Sequence, residues 1–282
     1  MDGDADTDTG LFGPGSITWK VHAEPVLWVG GVRALFLQAL HPLAMAGVAQ
    51  FSSFRDDPWG RLRRTADYVG VLTYGTTIEA HTAVAHVNRA HRGLRGVEPE
   101  SGQSFEVSDP ELLVWVHCCQ VDSFLSATRR AGLALRPGEA DGYVAEQVRA
   151  AELVGVPTAM IPASTADLRR YFERVRPQLR STAAARQAAQ FILFPPMALA
   201  VQVLTPARVA WTGVAALAYA SLPRWARRMY GRSGLPASPV VDVGATMSVR
   251  MLAGMTRLVP RHLREGPHLR LARERVGVLS RG

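Results

Sequence analysis

Along most of this chain apolar residues recur at the three- and four-residue spacing of a helix face, and no run alternates with period two long enough to predict a sheet. The pattern predicts helices over 58–74, 77–92, about 110–130, 139–154, 166–175 and 183–194, and further helix within 196–222. A long apolar segment, 26–51, is interrupted at Gly30-Gly31 and at His41-Pro42, where a kink or break is expected. The last stretch, 240–279, reads as two or three short helices punctuated by Gly254, Pro260 and Gly266-Pro267, and 96–104 reads as a loop. The fold class expected is all-α: one multi-helix domain over 16–282, preceded by a flexible, acidic, Gly-rich arm over 1–15.

Several boundaries carry their own chemistry. Asp56-Asp57-Pro58 predicts a helix start, with an acidic N-cap and proline just inside it. Ser108-Asp109-Pro110-Glu111 predicts another, with Ser108 as cap and Glu111 completing a capping box. Gly75 is expected to end the helix that begins at Pro58. The helix beginning at Pro58 carries Arg61, Arg63 and Arg64 in its first two turns, where the macrodipole disfavours cations. Arg61, Arg64, Thr65 and Tyr68 share one face of it. Two readings stand: a solvated basic face neutralised by Asp56 and Asp57, or a cluster aimed at a buried anionic cofactor.

With 48% apolar and 20% charged residues over 282 positions, a folded globular protein is expected. Charge is uneven. From Arg224 onward twelve arginines face only Asp242, Glu265 and Glu274, a balance of +9 that exceeds the +8 of the whole chain. No nucleic-acid module accompanies this basic segment (224–282), and aromatics are not interleaved with its arginines, so no nucleic-acid partner is expected. A solvated surface ranks first for it, and peripheral contact with a membrane surface second. The apolar stretches 191–204 and 209–222 fall short of the roughly 20 residues that span a bilayer, so buried core helices are expected there. Cys118 and Cys119 are adjacent, their side chains diverge on a helix, and no disulfide framework exists. That usage fits a reducing compartment and predicts a cytoplasmic protein, with the inner membrane surface as the place of any peripheral contact.

Hydrolase, zincin and P-loop signatures are missing from the sequence. His81, His86 and His91 are five apart, so successive members turn by roughly 140° and cannot converge on one small ion. A single axial histidine for a planar cofactor asks for less, because haem needs one proximal nitrogen. His91 ends its predicted helix, with Arg95 a turn later; a cation near a helix C-terminus is the ordinary alternative reading. His117, on an apolar face, reads as a hydrogen-bonded core histidine, and His41 as structural polar packing.

These pieces, in order, resemble the family of bacterial rubber oxygenases (latex-clearing proteins) and mpaB-type oxygenases, from about Gln38 to Tyr230. The matching residues are His41-Pro42 with Gly47-Val48, Asp57-Pro58 through Arg61-x-x-Arg64-Thr65, and Tyr74-Gly75-Thr76. Val87-x-x-x-His91-x-x-x-Arg95-Gly96 and Asp109-Pro110-x-Leu112-Leu113-x-Trp115-Val116-His117 follow. Glu139, Tyr143, Glu146, Gly155-x-Pro157, Pro162, Leu222-Pro223 and Tyr230-Gly231 complete the series.

The resemblance implies an all-helical fold around haem b, with His91 as the iron ligand and Arg95 close to it. It implies Arg61, Arg64 and Thr65 as the catalytic face, polarising oxygen at the iron or pairing with the haem propionates. The implied substrates are dioxygen and a lipophilic molecule, isoprenoid or acyl-like. The alternative is a non-catalytic haem-binding or membrane-surface protein of the same fold. Two departures narrow the implication. Rubber oxygenases carry a lysine matching Arg64 that can cap the iron, whereas a guanidinium has no lone pair to give, so an open or water-filled distal position with Arg64 as donor is expected. They also carry an acidic residue on the preceding helix, and this chain has no Asp or Glu between Arg33 and Ser53.

Overall fold

The computed structural model describes residues 8–231 and 236–279, and among these fifteen α-helices account for nearly all regular structure. In chain order they are α1 (Ile17–His22), α2 (Leu27–Gln38), α3 (Pro42–Phe51), α4 (Pro58–Tyr74), α5 (Thr77–His91), α6 (Pro110–Arg130), α7 (Glu139–Leu153) and α8 (Thr165–Val175). Then come α9 (Ala183–Leu193), α10 (Leu199–Leu204), α11 (Ala207–Ala220), α12 (Arg224–Met229), α13 (Pro239–Leu258), α14 (Arg261–Arg264) and α15 (Pro267–Leu279). The all-α expectation is met. The 96–104 loop turns out to be the tip of a two-stranded antiparallel hairpin, β1 (Arg95–Val97) and β2 (Ser104–Glu106), in the register Arg95↔Glu106. Three-residue strands are too short to leave a period in the sequence.

The core forms where α2 lies against α6 and α11 covers the other side of α2. Val29, Val32, Phe36 and Leu37 of α2 interlock with Trp115, Cys118, Val121, Phe124 and Leu125 of α6. Each such large side chain, fully buried, contributes about 1.5–3 kcal/mol. No break occurs at Gly30-Gly31, since α2 continues through both. Gly30 is there for proximity, since a Cβ on it would meet Phe124 Cδ1 and Ser123 O at 3.1 Å and Ala127 Cβ at 3.3 Å. The break falls at His41-Pro42 as expected, with α2 and α3 bent by 105°. His41 is buried there beside Trp115, with ring centroids 5.8 Å apart. Cys118 and Cys119 are free thiols, and burial pushes both pKa values up, which keeps them unreactive.

Other boundaries move for identifiable reasons. Asp109, not Ser108, caps α6, accepting from Glu111 N at 2.9 Å; Pro110 at the first helical position fixes that register. A full capping box occurs instead at α5, between Thr76 and Glu79. α13 is one helix of 20 residues and passes through Gly254, where a Cβ would meet nothing within 4 Å. The apolar stretch 191–204 was expected in the core, but Phe194, Leu199, Val201 and Leu204 are exposed. α10 is only 6 residues long, follows Pro195-Pro196, and has little more than α11 to lean on. No single helix among the described residues is long and apolar enough to cross a membrane.

Residues 1–7 of the expected arm lie outside the described residues, as do 280–282 and 232–235 of the basic segment. Residues 8–15 contact the body: Asp8 accepts from Thr77 N and Thr77 Oγ1 at 2.7 Å, and Arg149 donates to Leu11 O at 2.8 Å. α1 is held to α7 through Glu146, whose carboxylate accepts from Ile17 N, Thr18 N and Thr18 Oγ1 at 2.7–3.0 Å. A carboxylate at a helix start satisfies orphan amides and the macrodipole together.

His22, buried between α1, α4 and α7, has a tautomer that its partners determine. Thr73 Oγ1 spends its hydrogen on Val69 O at 2.8 Å, so it accepts from His22 Nδ1 at 2.8 Å. Nε2, left with its lone pair, then takes the Tyr143 hydroxyl at 3.0 Å. A neutral imidazole satisfies both bonds, and burial holds its pKa down to about 3. Below the ordinary histidine value of about 6.5 the unfolded chain takes up a proton that the folded chain refuses. Stability is therefore full above that value and falls as pH drops toward 3, by about 1.4 kcal/mol per unit from this one group. Urea unfolding across that range should show a shallower pH slope in His22→Gln than in wild type, by about one proton; equal slopes would mean His22 is not the neutral, buried hinge described.

Candidate functional site

The start of α4 is built around Asp57. Its Oδ1 accepts from Gly60 N at 2.8 Å, and its Oδ2 takes Arg64 Nη1 at 3.1 Å. These two partners hold its pKa below the ordinary carboxylate value, the amide bond counting first. Gly60 is needed because a Cβ would sit 1.9 Å from Asp57 Oδ2. The same end is pinned to the opposite side of the fold by Trp59, whose Nε1 donates to Pro196 O at 2.9 Å and whose ring meets Trp211 edge-on at 4.8 Å.

Among the residues predicted for the site, Arg61 differs from its neighbours. It is half-buried, and no ion pair or side-chain hydrogen bond reaches it among the described residues. Desolvation, and then the like charge of Arg64, lower its pKa. Charged groups inside proteins are ordinarily paired. Asp57, the acid that caps this helix, is already taken by Arg64. Arg61 therefore carries positive charge at the positive end of a helix with no anion paired to it among the described residues.

Three more polar side chains share this state. His91, at the last residue of α5, is half-buried, lacks a hydrogen-bond partner, and has its pKa lowered by burial. Tyr68, two turns along α4 from Arg61, is half-buried and unpartnered, and burial raises its hydroxyl to about 12. His117 on α6, expected to be a hydrogen-bonded core residue, also has no partner; burial lowers it to about 4 although its surface is not sealed off. Tyr68 packs against the cluster of Leu72, Ala80, Val84 and Ala150, and no hydrogen bond or ion pair among the described residues joins the four side chains. α4 and α5 meet at the turn Gly75-Thr76 and pack together through Leu72, Ala80 and Val84, and Arg61 and His91 stand roughly 22 Å along the two helices from that turn at 1.5 Å per residue. No direct bond links the two.

The remaining predicted residues point elsewhere. Arg64 is exposed, and besides Asp57 it reaches Ser53 Oγ at 3.3 Å. Thr65 donates back to Arg61 O at 3.0 Å, an i−4 bond that steadies the turn carrying Arg61. Arg95 pairs with Glu106 across the hairpin and is exposed, so it fixes the segment after His91 rather than touching the imidazole. His81 and His86 are exposed. Tyr68 was legible only as a fourth member of the Arg61 face, and His117 gave no signal beyond its apolar surroundings. Among the described residues no three His, Cys, Asp or Glu side chains gather as ligands for a bare ion.

The helical fold carries, among its described residues, two half-buried imidazoles without partners, His91 and His117, and the unneutralised guanidinium of Arg61. The chain belongs to the family described as ER-bound oxygenase mpaB/B'/rubber oxygenase, catalytic domain, whose model matches residues 19–258, and it thus carries an oxygenase-type catalytic domain. Two curated relatives are uncharacterized proteins of Mycobacterium bovis and Mycobacterium tuberculosis, each 28% identical over 130 residues. That alignment takes in 46% of this chain and 51% of each relative, so the chain spans about half the length of the curated relatives it matches. No solved structure matches it.

A haem would be one group able to answer both His91 and Arg61. It would offer iron to a neutral imidazole and carboxylates to a lone guanidinium, the two partners the chain withholds. An unpaired, desolvated cation also burdens the chain when nothing is bound. Arg61→Leu should therefore raise the stability of haem-free protein by about 1 kcal/mol in chemical denaturation. A loss of similar size would mean that Arg61 already has a partner.

Proposed function

We propose that this protein is a haem b-dependent oxygenase that uses dioxygen on a lipophilic, isoprenoid- or acyl-like substrate. The observation that carries the proposal is the pairing, on the two arms of one helical hairpin, of an unpartnered imidazole with an unneutralised guanidinium, in a member of an oxygenase family. His91 would hold the iron: burial favours its neutral form, which keeps a ring nitrogen lone pair free. Arg61 would hold a propionate or another anion at the start of α4. Thr65 steadies the turn that carries it, and Arg64, braced by Asp57, adds to the positive potential there. Tyr68 and His117 are further polar side chains without partners among the described residues. When bound, haem supplies the oxygen and one-electron chemistry that side chains lack.

The substrate reading is limited by α2 and α3. Neither helix, nor the turn between them, has a carboxylate from Arg33 to Ser53, so the base implied by the rubber-oxygenase resemblance has no counterpart there. That favours oxidation of a lipophile by a route needing no such base, over cleavage of polyisoprene. Residues that bury no base but exclude water can still orient an apolar chain.

Titrating purified protein with hemin should give a Soret band that His91→Ala abolishes and that free imidazole restores in His91→Gly. A wild type that takes up no haem, or a His91→Ala spectrum identical to wild type, would overturn the assignment. Arg61→Leu, folded and more stable when empty, should bind hemin about tenfold more weakly, the scale of one charge-assisted hydrogen bond. Oxygen-dependent turnover of an apolar substrate by the loaded protein separates an oxygenase from a non-catalytic haem binder.

A further inference from the structure

α13 is packed the opposite way round from a helix whose surroundings are only its own protein and water. The residues it turns inward, Ala245, Val249 and Ala253, are small, whereas Val240, Val243, Met247, Met251, Met255 and Leu258 are exposed. The exposed six follow one another at three- and four-residue steps, so they form one stripe along the whole helix. Met247 is 67% exposed and Leu258 85%. A stripe of that length exceeds the scattered apolar exposure normal for a soluble surface.

The stripe runs into a charged cleft. Val243 and Met247 also line an open cleft of about 950 Å³ between α6, α12 and α13. Its walls carry Arg129, Arg130, Arg176, Arg224, Arg228 and Arg250 against Asp122 and Asp242. Both acids are spent. Asp122 pairs with Arg33 at 2.8 Å, and Asp242 takes Arg224 and Arg227 at 2.5 Å each. Arg228 and Arg250 make no ion pair or hydrogen bond among the described residues. Beside α13, the neighbouring α11 and α10 add exposed Val209, Leu199 and Leu204.

We infer that this face docks on an anionic lipid bilayer, with α13 lying in the plane of the interface and the cleft receiving lipid phosphates. An interfacial helix of this kind sinks its apolar face a little below the headgroups while flanking cations pair with them. A second copy of the chain is a poorer occupant, because a two-fold contact would press one set of unpaired arginines against the same set. Nucleic acid would answer the charge but leave the methionine and valine stripe in water, with no aromatic platform for bases.

Cosedimentation of the full chain with vesicles tests the assignment. Binding should be strong to phosphatidylcholine vesicles containing phosphatidylglycerol, weak to phosphatidylcholine alone, and reduced by added salt. Met247→Glu with Met251→Glu, and separately Arg228→Glu with Arg250→Glu, should each weaken binding by about tenfold or more, with helical circular dichroism retained. Equal binding by wild type and both double variants, or no binding to anionic vesicles, would overturn the inference. So would a wild-type dimer in light scattering that Met247→Glu disperses, since the stripe would then belong to a second copy.

Discussion

Everything in this fold is arranged around the near approach of α2 to α6, which the missing side chain of Gly30 permits. With those two helices at close range, polar groups that enter the interior must be answered by other polar groups, and most are. Arg33 on α2 donates to Ser123 Oγ at 2.7 Å and Ser221 O at 3.1 Å besides pairing with Asp122. Glu98 is buried, which acts to raise its pKa, but bonds from Ser101, Glu100 N and Arg180 outweigh that and hold it low. His22 and Glu146 are answered in the same way. Other buried polar atoms, among them the Tyr74 and Tyr219 hydroxyls and Ser181 Oγ, also lack partners, so Arg61 and His91 draw their meaning from the family match together with their unanswered state.

How much of this could be read from the sequence depended on how local each cause was. The helix from Pro58 to Tyr74 was legible to the residue because its cap, its proline and its terminal glycine are all neighbours in sequence. The His41-Pro42 break was legible for the same reason. The role of Gly30 was not, because it depends on Phe124 and Ala127, which are distant in sequence. α1 is only 6 residues long, and what holds it is a carboxylate 128 residues away, so its sequence alone carried too little signal. α10 misled because an apolar run looks the same whether it is covered by protein or by something else.

The site divides along a similar line. That Arg61 and Arg64 share a helix face followed from spacing, but which of them is neutralised followed from the side to which Asp57 turns. The two arginines, three residues apart, thus end in opposite electrostatic states: one exposed and paired, the other desolvated and alone. The histidines separated likewise. His117 read as ordinary packing, whereas His91 was singled out by the family resemblance over its ordinary helix-end reading, and neither has among the described residues the side-chain partners that His22 has.

The charge on this chain is also sorted by purpose, which the net figure of +8 conceals. Arg33 and Arg227 are buried and ion-paired, only Arg227 Nε being left without a partner, and they tie the core together. Arg61 is half-buried and, among the described residues, unpaired at the start of α4. Arg228 and Arg250 are unpaired on the outside, beside an apolar stripe, where only an extended anionic surface could answer both at once. Guanidinium suits all three settings because it stays charged when desolvated and binds planar oxyanions in pairs of bonds. A near-total preference for arginine, with Lys20 the only lysine, is therefore compatible with both proposals, and it is each arginine's surroundings that assign its role.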